Sequence, residues 1–116
     1  VGISAYPGAD ALTNPVNDAT AMHTKLEALN YKSTLLIDCD VDTMHTAVDS
    51  FILSLNKGDT ALFYFAGHGC EYRNSNYLIC TDTFSKGTSD SWLARKAVKV
   101  LDVLNHIQGK SPTLSV

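Results

Sequence analysis

Several features that would assign this chain to a common class of protein are missing from it. The sequence has no apolar run long enough to cross a membrane as a helix, and its first residues lack the charged and apolar regions of a secretory signal peptide. Its three cysteines, Cys39, Cys70 and Cys80, are odd in number and have no CxxC spacing. A disulfide framework is therefore not indicated, and the sequence favours reduced thiols in an intracellular, cytoplasmic setting.

A basic patch is also missing from the sequence. Lys and Arg number 9 against 12 Asp and Glu, so the net charge is -3 and the pI is about 5.7. Because nucleic acid and anionic membranes bind clustered positive charge, neither is predicted as the main partner. The chain does have 45% apolar residues over 116 positions, enough for one folded domain but short for a complete enzyme. We expect residues 1–116 to form a single domain that is incomplete at its carboxyl end.

Three short β-prone segments, at residues 1–5, 33–38 and 61–66, alternate with two helical patterns. The third segment, ALFYFA, is apolar on both faces, as expected for a central parallel strand that helices cover on each side. The order therefore predicts an α/β fold, a three-layer α/β/α sandwich with a mainly parallel sheet and right-handed crossovers.

The helices have recognisable starts and apolar faces. The first is predicted to begin at Asn14 and Pro15, because Asn can cap a helix and Pro suits its first position. Asp42 is predicted to cap the second. Apolar residues at helical spacing predict one buried face on each helix: Ala19, Met22, Leu26 and Leu29 on the first, and Met44, Val48, Phe51 and Leu55 on the second.

The segment that follows the third strand is mostly polar. It predicts a loop (CEYRNSN), a short strand at residues 77–80 and a second loop (TDTFSKGTSDS). A third helix is predicted from about residue 92 to residue 108, ended by Gly109, and residues 114–116 resemble the first half of a fourth strand. The inward face of that third helix is predicted to consist of Leu93, Ala97, Val100, Leu104 and Ile107.

His68 stands between two glycines directly after the third strand. Functional groups of open parallel sheets collect at the carboxyl ends of the strands, so His68 is a candidate catalytic base. Its glycine neighbours let the backbone approach a ligand and offer N–H groups to a developing oxyanion. The alternative is a histidine that only caps the strand or lies on the surface. Cys70 is too close along the chain to be its nucleophile, and Cys39 and Cys80 fit small core residues better.

Asp18 is a second candidate, since the first turn of the first helix should lie on the same rim as His68. Its carboxylate would bind a basic side chain, and the alternative is a structural role at the helix amino end. A zinc site formed by His68, Cys70, Cys80 and His106 is disfavoured, because no pair has the usual ligand spacing. A receiver-like or nucleotide-binding domain is a weaker alternative, because no phosphate-binding glycine loop follows the first strand.

The whole chain resembles the caspase-like cysteine peptidases of the metacaspase and paracaspase type. The resemblance rests most specifically on the apolar strand that ends in AGHG and on the segment LTNPVNDA, which occur in the order and at the separation typical of that family. It implies the caspase-hemoglobinase fold, here reaching only into the fourth strand. Pro15 stands where many metacaspases have cysteine, which is more similar to paracaspases.

The resemblance also implies roles for individual residues. His68 matches the histidine of the Cys/His dyad, and Gly69 matches the glycine whose N–H helps to form the oxyanion hole. Asp18 matches the aspartate that selects Arg or Lys in metacaspases and paracaspases. The family's nucleophilic cysteine follows the fourth strand, so we expect it beyond residue 116 and expect this chain alone to be inactive.

The resemblance implies a cysteine endopeptidase that acts on proteins or peptides and cleaves after Arg or Lys. The alternative is a caspase-like scaffold or regulatory module that has lost the cysteine. No cofactor is predicted, although metacaspases often need calcium and the sequence shows no recognisable calcium site. A homodimer is left open.

Overall fold

The structure, a computed structural model, describes residues 1–83 and 90–115. Part of the second predicted loop, residues 84–89, and the last residue of the predicted fourth strand lie outside the described residues. The chain forms a 3-10 turn at Gly8–Asp10, helices α1 (Pro15–Ala28), α2 (Val41–Ser54), α3 (Asp90–Lys96) and α4 (Val100–Gly109), and strands β1 (Thr60–Ala61), β2 (Gly69–Tyr72), β3 (Ser75–Ile79), β4 (Ala97–Lys99) and β5 (Leu114–Ser115).

The parallel part of the fold is built around Gly2. Gly2 pairs in parallel with Ile37 on one side and with Ala66 on the other. Its N–H donates to the Leu36 carbonyl and its own carbonyl accepts from the Asp38 N–H, both at 2.9 Å. β1 pairs in parallel with β5, which confirms the predicted start of a fourth strand. The three predicted strands therefore occupy the expected places in the fold.

Their predicted lengths, however, are wrong. Backbone pairing joins residues 1–3 to residues 36–38 and 64–66, and Ala61 to Ser115, so each paired stretch is shorter than the predicted strand. The first segment ends early because the N–H groups of Ser4 and Ala5 both donate to the Asp38 carboxylate, at 2.6 and 2.9 Å, instead of to a neighbouring strand.

Helices cover both faces of this parallel part. A Cβ on Gly2 would lie 2.7 Å from the Ala19 Cβ of α1, so α1 packs directly on that face. Ile3 points to the opposite face, because successive residues of an extended segment alternate, and it is fully buried in one core with Met44 of α2. The predicted three-layer α/β/α arrangement is confirmed.

The starts of α1 and α2 differ in detail from the expectation. At α1 the Asn14 backbone carbonyl accepts the Asp18 N–H at 2.9 Å, and the predicted side-chain cap is not formed. At α2 the cap is Asp40, whose carboxylate accepts the Thr43 N–H at 2.8 Å, so the prediction of Asp42 is wrong. Leu29 was expected on the buried face of α1 but is 57% exposed, since it lies just past the end of that helix.

The first predicted loop after the third strand is a β-hairpin. β2 and β3 pair antiparallel, with Tyr72 opposite Ser75 across a two-residue turn. Arg73 and Asn74 in that turn have φ values of 47° and 57°, the left-handed pair that a type I′ turn requires. Because the residues of the hairpin are mostly polar, the sequence predicted a loop there. The strand expected at residues 77–80 is also longer and runs over Ser75–Ile79.

The third predicted helix is interrupted by a strand. α3 ends at Lys96, β4 pairs antiparallel with β3, and α4 then begins at Val100. Because the helix restarts, its apolar phase shifts: Val103 is 3% exposed, whereas Leu104, expected inward, is 40% exposed. The expectation of one continuous helix over 92–108 is therefore wrong, although Leu93, Ala97 and Ile107 are buried as predicted.

Candidate active site

His68 is half-buried at the carboxyl end of the segment that contains Ala66, and two residues near the amino terminus hold it there. Its Nε2 lies 2.8 Å from the carbonyl oxygen of Asp10 in the 3-10 turn. Its ring lies 4.6 Å, centroid to centroid, from the ring of Tyr6. The loop that follows Gly2 therefore folds over the imidazole and determines the position of the ring.

The hydroxyl of Tyr6 is inserted into the backbone ladder between His68 and β3. The His68 N–H donates to the Tyr6 oxygen at 2.8 Å, and the Tyr6 hydroxyl donates to the Ile79 carbonyl at 2.9 Å. The Ile79 N–H completes the arrangement by donating to the His68 carbonyl at 3.0 Å. Tyr6 is 4% exposed, and this burial raises the pKa of its phenol to about 12. The hydroxyl therefore remains protonated and keeps both bonds.

The contact with Asp10 determines which ring nitrogen of His68 carries the proton. A carbonyl oxygen only accepts hydrogen bonds, so the neutral imidazole must hold its proton on Nε2. Nδ1 is then the basic nitrogen of the ring. An imidazole oriented in this way suits a general base.

The glycines on either side of His68 serve different purposes. A Cβ on Gly67 would lie 2.6 Å from the Tyr6 oxygen, so only glycine allows the close approach of Tyr6. Gly69 is opposite Leu78, between the pairs Cys70–Tyr77 and His68–Ile79. Because hydrogen-bonded and non-hydrogen-bonded pairs alternate in an antiparallel ladder, the Gly69 N–H is directed away from β3.

Asp18 lies in the first turn of α1, and its side chain is exposed. The start of α1 is joined to the end of the first parallel segment, because the Val16 N–H donates to the Ser4 hydroxyl at 3.3 Å. The short segment from Ser4 to Asp18 thus contains the carboxylate together with Tyr6 and Asp10, the residues that hold His68. That Asp18 shares a rim with His68 stays a prediction from the order of the strands.

The three thiols differ sharply in their surroundings. Cys70 is half-buried on β2, and burial raises its pKa, which disfavours the thiolate that a nucleophile needs. Cys39 and Cys80 are 7% and 0% exposed in the main core. The structure supports the interpretation that none of them is placed as the nucleophile for His68.

Other kinds of site have little support among residues 1–83 and 90–115. Within those ranges no three side chains of His, Cys, Asp or Glu converge on a metal position. A mainly apolar cavity of about 110 Å³ lies at the other end of the parallel segments, beside Thr34, Leu62 and Phe63. Over the same ranges, no helix has both the length and the apolar character needed to span a membrane.

Sequence reasoning missed three residues of this site: Tyr6, Asp10 and Asp38. Tyr6 and Asp10 contact His68 directly, and Asp38 shapes the loop that carries them. The available signal was the segment AYPGAD, which follows the first strand and therefore had to lie on the rim beside His68. Its residues are 58 or more positions away from His68 along the chain, so no local pattern could pair them.

Comparison with known proteins identifies the family of the chain. A family model described as the caspase domain matches residues 1–114, and the chain belongs to that family of cysteine peptidases. Over all 116 residues it is 30% identical to the human mucosa-associated lymphoid tissue lymphoma translocation protein 1, covering 14% of that protein. It is also 30% identical to the mouse homologue, of which it covers 13%. The chain thus spans a small part of these relatives, and the family resemblance seen in its sequence is confirmed.

Proposed function

We propose that this chain supplies the histidine and the substrate-binding carboxylate of a cysteine endopeptidase that cleaves proteins after Arg or Lys. The nucleophilic cysteine comes from residues outside 1–116. The observation that most supports this proposal is the orientation of His68, whose Nε2 is held by the Asp10 carbonyl so that Nδ1 is the base. Membership of the caspase-domain family supports the same reaction class.

The reaction proceeds through a thioester. The cysteine thiol gives its proton to Nδ1 of His68, and the sulfur bonds to the carbonyl carbon of the scissile peptide. The tetrahedral intermediate collapses as the imidazolium gives its proton to the leaving amine. Water then loses a proton to His68 and attacks the thioester, and collapse releases the acid product and returns the proton to the cysteine.

Gly69 provides a hydrogen bond to the oxyanion in both steps. Its N–H is directed away from β3, and the residue is exposed, so a substrate carbonyl can approach it. A backbone donor on a paired strand needs little reorganisation as the charge develops, which is the main source of oxyanion-hole stabilisation.

Asp18 recognises the basic side chain that precedes the cleaved bond. Its exposed carboxylate is accessible to a guanidinium or ammonium group, with which it would form a charge-assisted hydrogen bond. None of these steps uses a cofactor, and calcium, which metacaspases often need, takes no part in them.

The test uses the longest natural form of the protein with fluorogenic peptides that carry Arg, Lys or Asp before the reporter group. We expect cleavage of the Arg and Lys peptides only. His68→Ala should abolish turnover, and Asp18→Asn should raise KM for Arg and Lys peptides by roughly tenfold or more, because one charge pair is lost.

Asp49→Asn is the matched control, since Asp49 is an exposed aspartate on α2 and should leave kcat and KM unchanged. Cleavage that persists in His68→Ala would contradict the proposal. A folded natural protein that cleaves none of the peptides would instead support the alternative, a caspase-like scaffold without catalysis.

A further inference from the structure

Two buried cysteines lie side by side in the core, away from the proposed reaction. Cys39 follows the segment that contains Ile37, and Cys80 follows β3. The N–H and the hydroxyl of Thr81 both donate to the Cys39 carbonyl at 3.2 Å, which aligns the two segments so that Cys39 and Cys80 are neighbours. The backbone therefore holds the pair together before any chemistry takes place.

Their side chains interact as well. The Cys80 S–H donates to the Met44 sulfur on α2 at 3.5 Å, and Cys39 and Cys80 belong to the same buried cluster. The interaction between the two thiols lowers the pKa of Cys39 and, together with burial, raises that of Cys80. Cys39 is thus the thiol of the pair that ionises more readily.

The contrast with Cys70 is informative. Burial raises the pKa of Cys70, and its side chain is on β2 rather than beside a second thiol. Cys39 keeps 7% of its surface exposed while Cys80 has none, so a small oxidant reaches Cys39 first. The chain therefore contains a reactive pair and a single-thiol control.

We infer that Cys39 and Cys80 form a reversible disulfide when the protein meets a hydroperoxide. The Cys39 thiolate attacks one peroxide oxygen, the O–O bond breaks, and a sulfenic acid forms while the other oxygen leaves and takes up a proton. The Cys80 sulfur then bonds to the Cys39 sulfur, and the sulfenic oxygen leaves as water with the Cys80 proton. Two thiols are oxidised by two electrons and the hydroperoxide is reduced.

The position of the disulfide connects it to the candidate active site. Cys80 directly follows Ile79, whose N–H and carbonyl bind His68 and the Tyr6 hydroxyl. Cys39 directly follows Asp38, which shapes the loop that carries Tyr6. A covalent bond between Cys39 and Cys80 would therefore join the two segments that support His68, whether or not the protein is a peptidase.

The test treats the folded protein with hydrogen peroxide, blocks remaining thiols with an alkylating reagent and measures the intact mass. We expect the loss of two hydrogens and, after proteolysis, one crosslinked peptide that joins Cys39 to Cys80. Dithiothreitol should reverse it. The crosslink between Cys39 and Cys80 should form faster than hydrogen peroxide oxidises Cys70, because the thiolate is favoured at Cys39 and disfavoured at Cys70.

The variants separate the roles of the three thiols. Cys70→Ser should crosslink like the parent protein, whereas Cys39→Ser and Cys80→Ser should not crosslink. In Cys80→Ser the Cys39 sulfenic acid should accumulate and react with dimedone. The inference would be overturned by a crosslink that involves Cys70, by a disulfide that forms only in urea, or by no mass loss in folded protein. Circular dichroism of the parent protein shows whether the protein being tested is folded.

Discussion

At the scale of single residues, Tyr6 is the residue on which the position of His68 depends most. Tyr6→Phe keeps the ring contact but removes the hydroxyl that joins the His68 N–H to the Ile79 carbonyl. Two backbone groups lose their partner, so the free energy of unfolding should fall by about 1–3 kcal/mol. Urea denaturation at neutral pH measures it, and Tyr31→Phe, at a 37% exposed tyrosine, is the control.

The raised pKa of Tyr6 gives this prediction a second measurement. Because the folded-state pKa is about 12 and the ordinary value is 10, the unfolded chain loses its proton first as the pH rises. The stabilisation is fully present below pH 10 and is lost as the pH rises through about 12. Tyr6→Phe should show a weaker decline in that window, and an identical decline in both proteins would contradict the assignment.

Gly67 tests whether the approach of Tyr6 requires glycine. In Gly67→Ala the new Cβ would lie 2.6 Å from the Tyr6 oxygen and 2.9 Å from the Phe65 ring. Relieving these contacts should lower the free energy of unfolding by about 1–3 kcal/mol. The matched control is Gly109→Ala at the end of α4, where a Cβ would have no heavy atom of the described residues within 4 Å apart from its chain neighbours and the nearby backbone of α4 itself.

At the scale of elements, the start of α2 depends on one carboxylate. Asp40→Ala removes the acceptor of the Thr43 N–H, whereas Asp42→Ala removes an acidic residue from the same turn without removing a cap. Thermal unfolding should therefore show a clearly lower Tm for Asp40→Ala than for Asp42→Ala. Equal Tm values would contradict the assignment of the cap.

The same acceptor predicts a pH dependence. The hydrogen bonds from Thr43 hold the pKa of Asp40 below its ordinary value. Their contribution is present above the ordinary pKa of the carboxylate and is lost as the pH falls through the lowered one. The difference in Tm between Asp40→Ala and the parent protein should therefore shrink in acid.

Elements were predictable where local patterns and tertiary pairing agree. α1 and α2 have both an apolar stripe and a start signal, and their existence was predicted correctly. The residues 92–108 also have an apolar stripe, but Ala97 and Val98 pair with β3 and are each 2% exposed. Strand pairing across about twenty positions overrides the helical spacing there, and no short sequence window contains that information.

At the scale of the whole molecule, the order of the parallel segments and the position of His68 followed from the sequence, because both depend on strand order alone. The partners of His68 did not follow from it. Asp10 and Tyr6 reach the imidazole only because the loop after Gly2 leaves the sheet and folds back over the rim. The Asp38 carboxylate fixes that path by accepting the N–H groups of Ser4 and Ala5. Asp38, whose backbone φ is 46°, ends a different segment of the chain.

Gly2 is the point at which the layers of the molecule meet, and it offers a test of the whole packing. In Gly2→Ala the new Cβ would lie 2.5 Å from the Pro15 carbonyl and 2.7 Å from the Ala19 Cβ. The carbonyl belongs to the backbone of α1, so the helix must move as a body away from the sheet. We expect the free energy of unfolding to fall by about 3 kcal/mol or more.

A double variant shows which of the two contacts decides the loss. Gly2→Ala with Ala19→Gly removes the contact at 2.7 Å but keeps the Pro15 carbonyl at 2.5 Å, so stability should not return. Ala19→Gly alone should cost only about 1 kcal/mol, as glycine does within a helix. Urea denaturation of the three variants measures these differences. Full recovery in the double variant would mean that side-chain crowding, rather than the backbone of α1, sets the distance between helix and sheet.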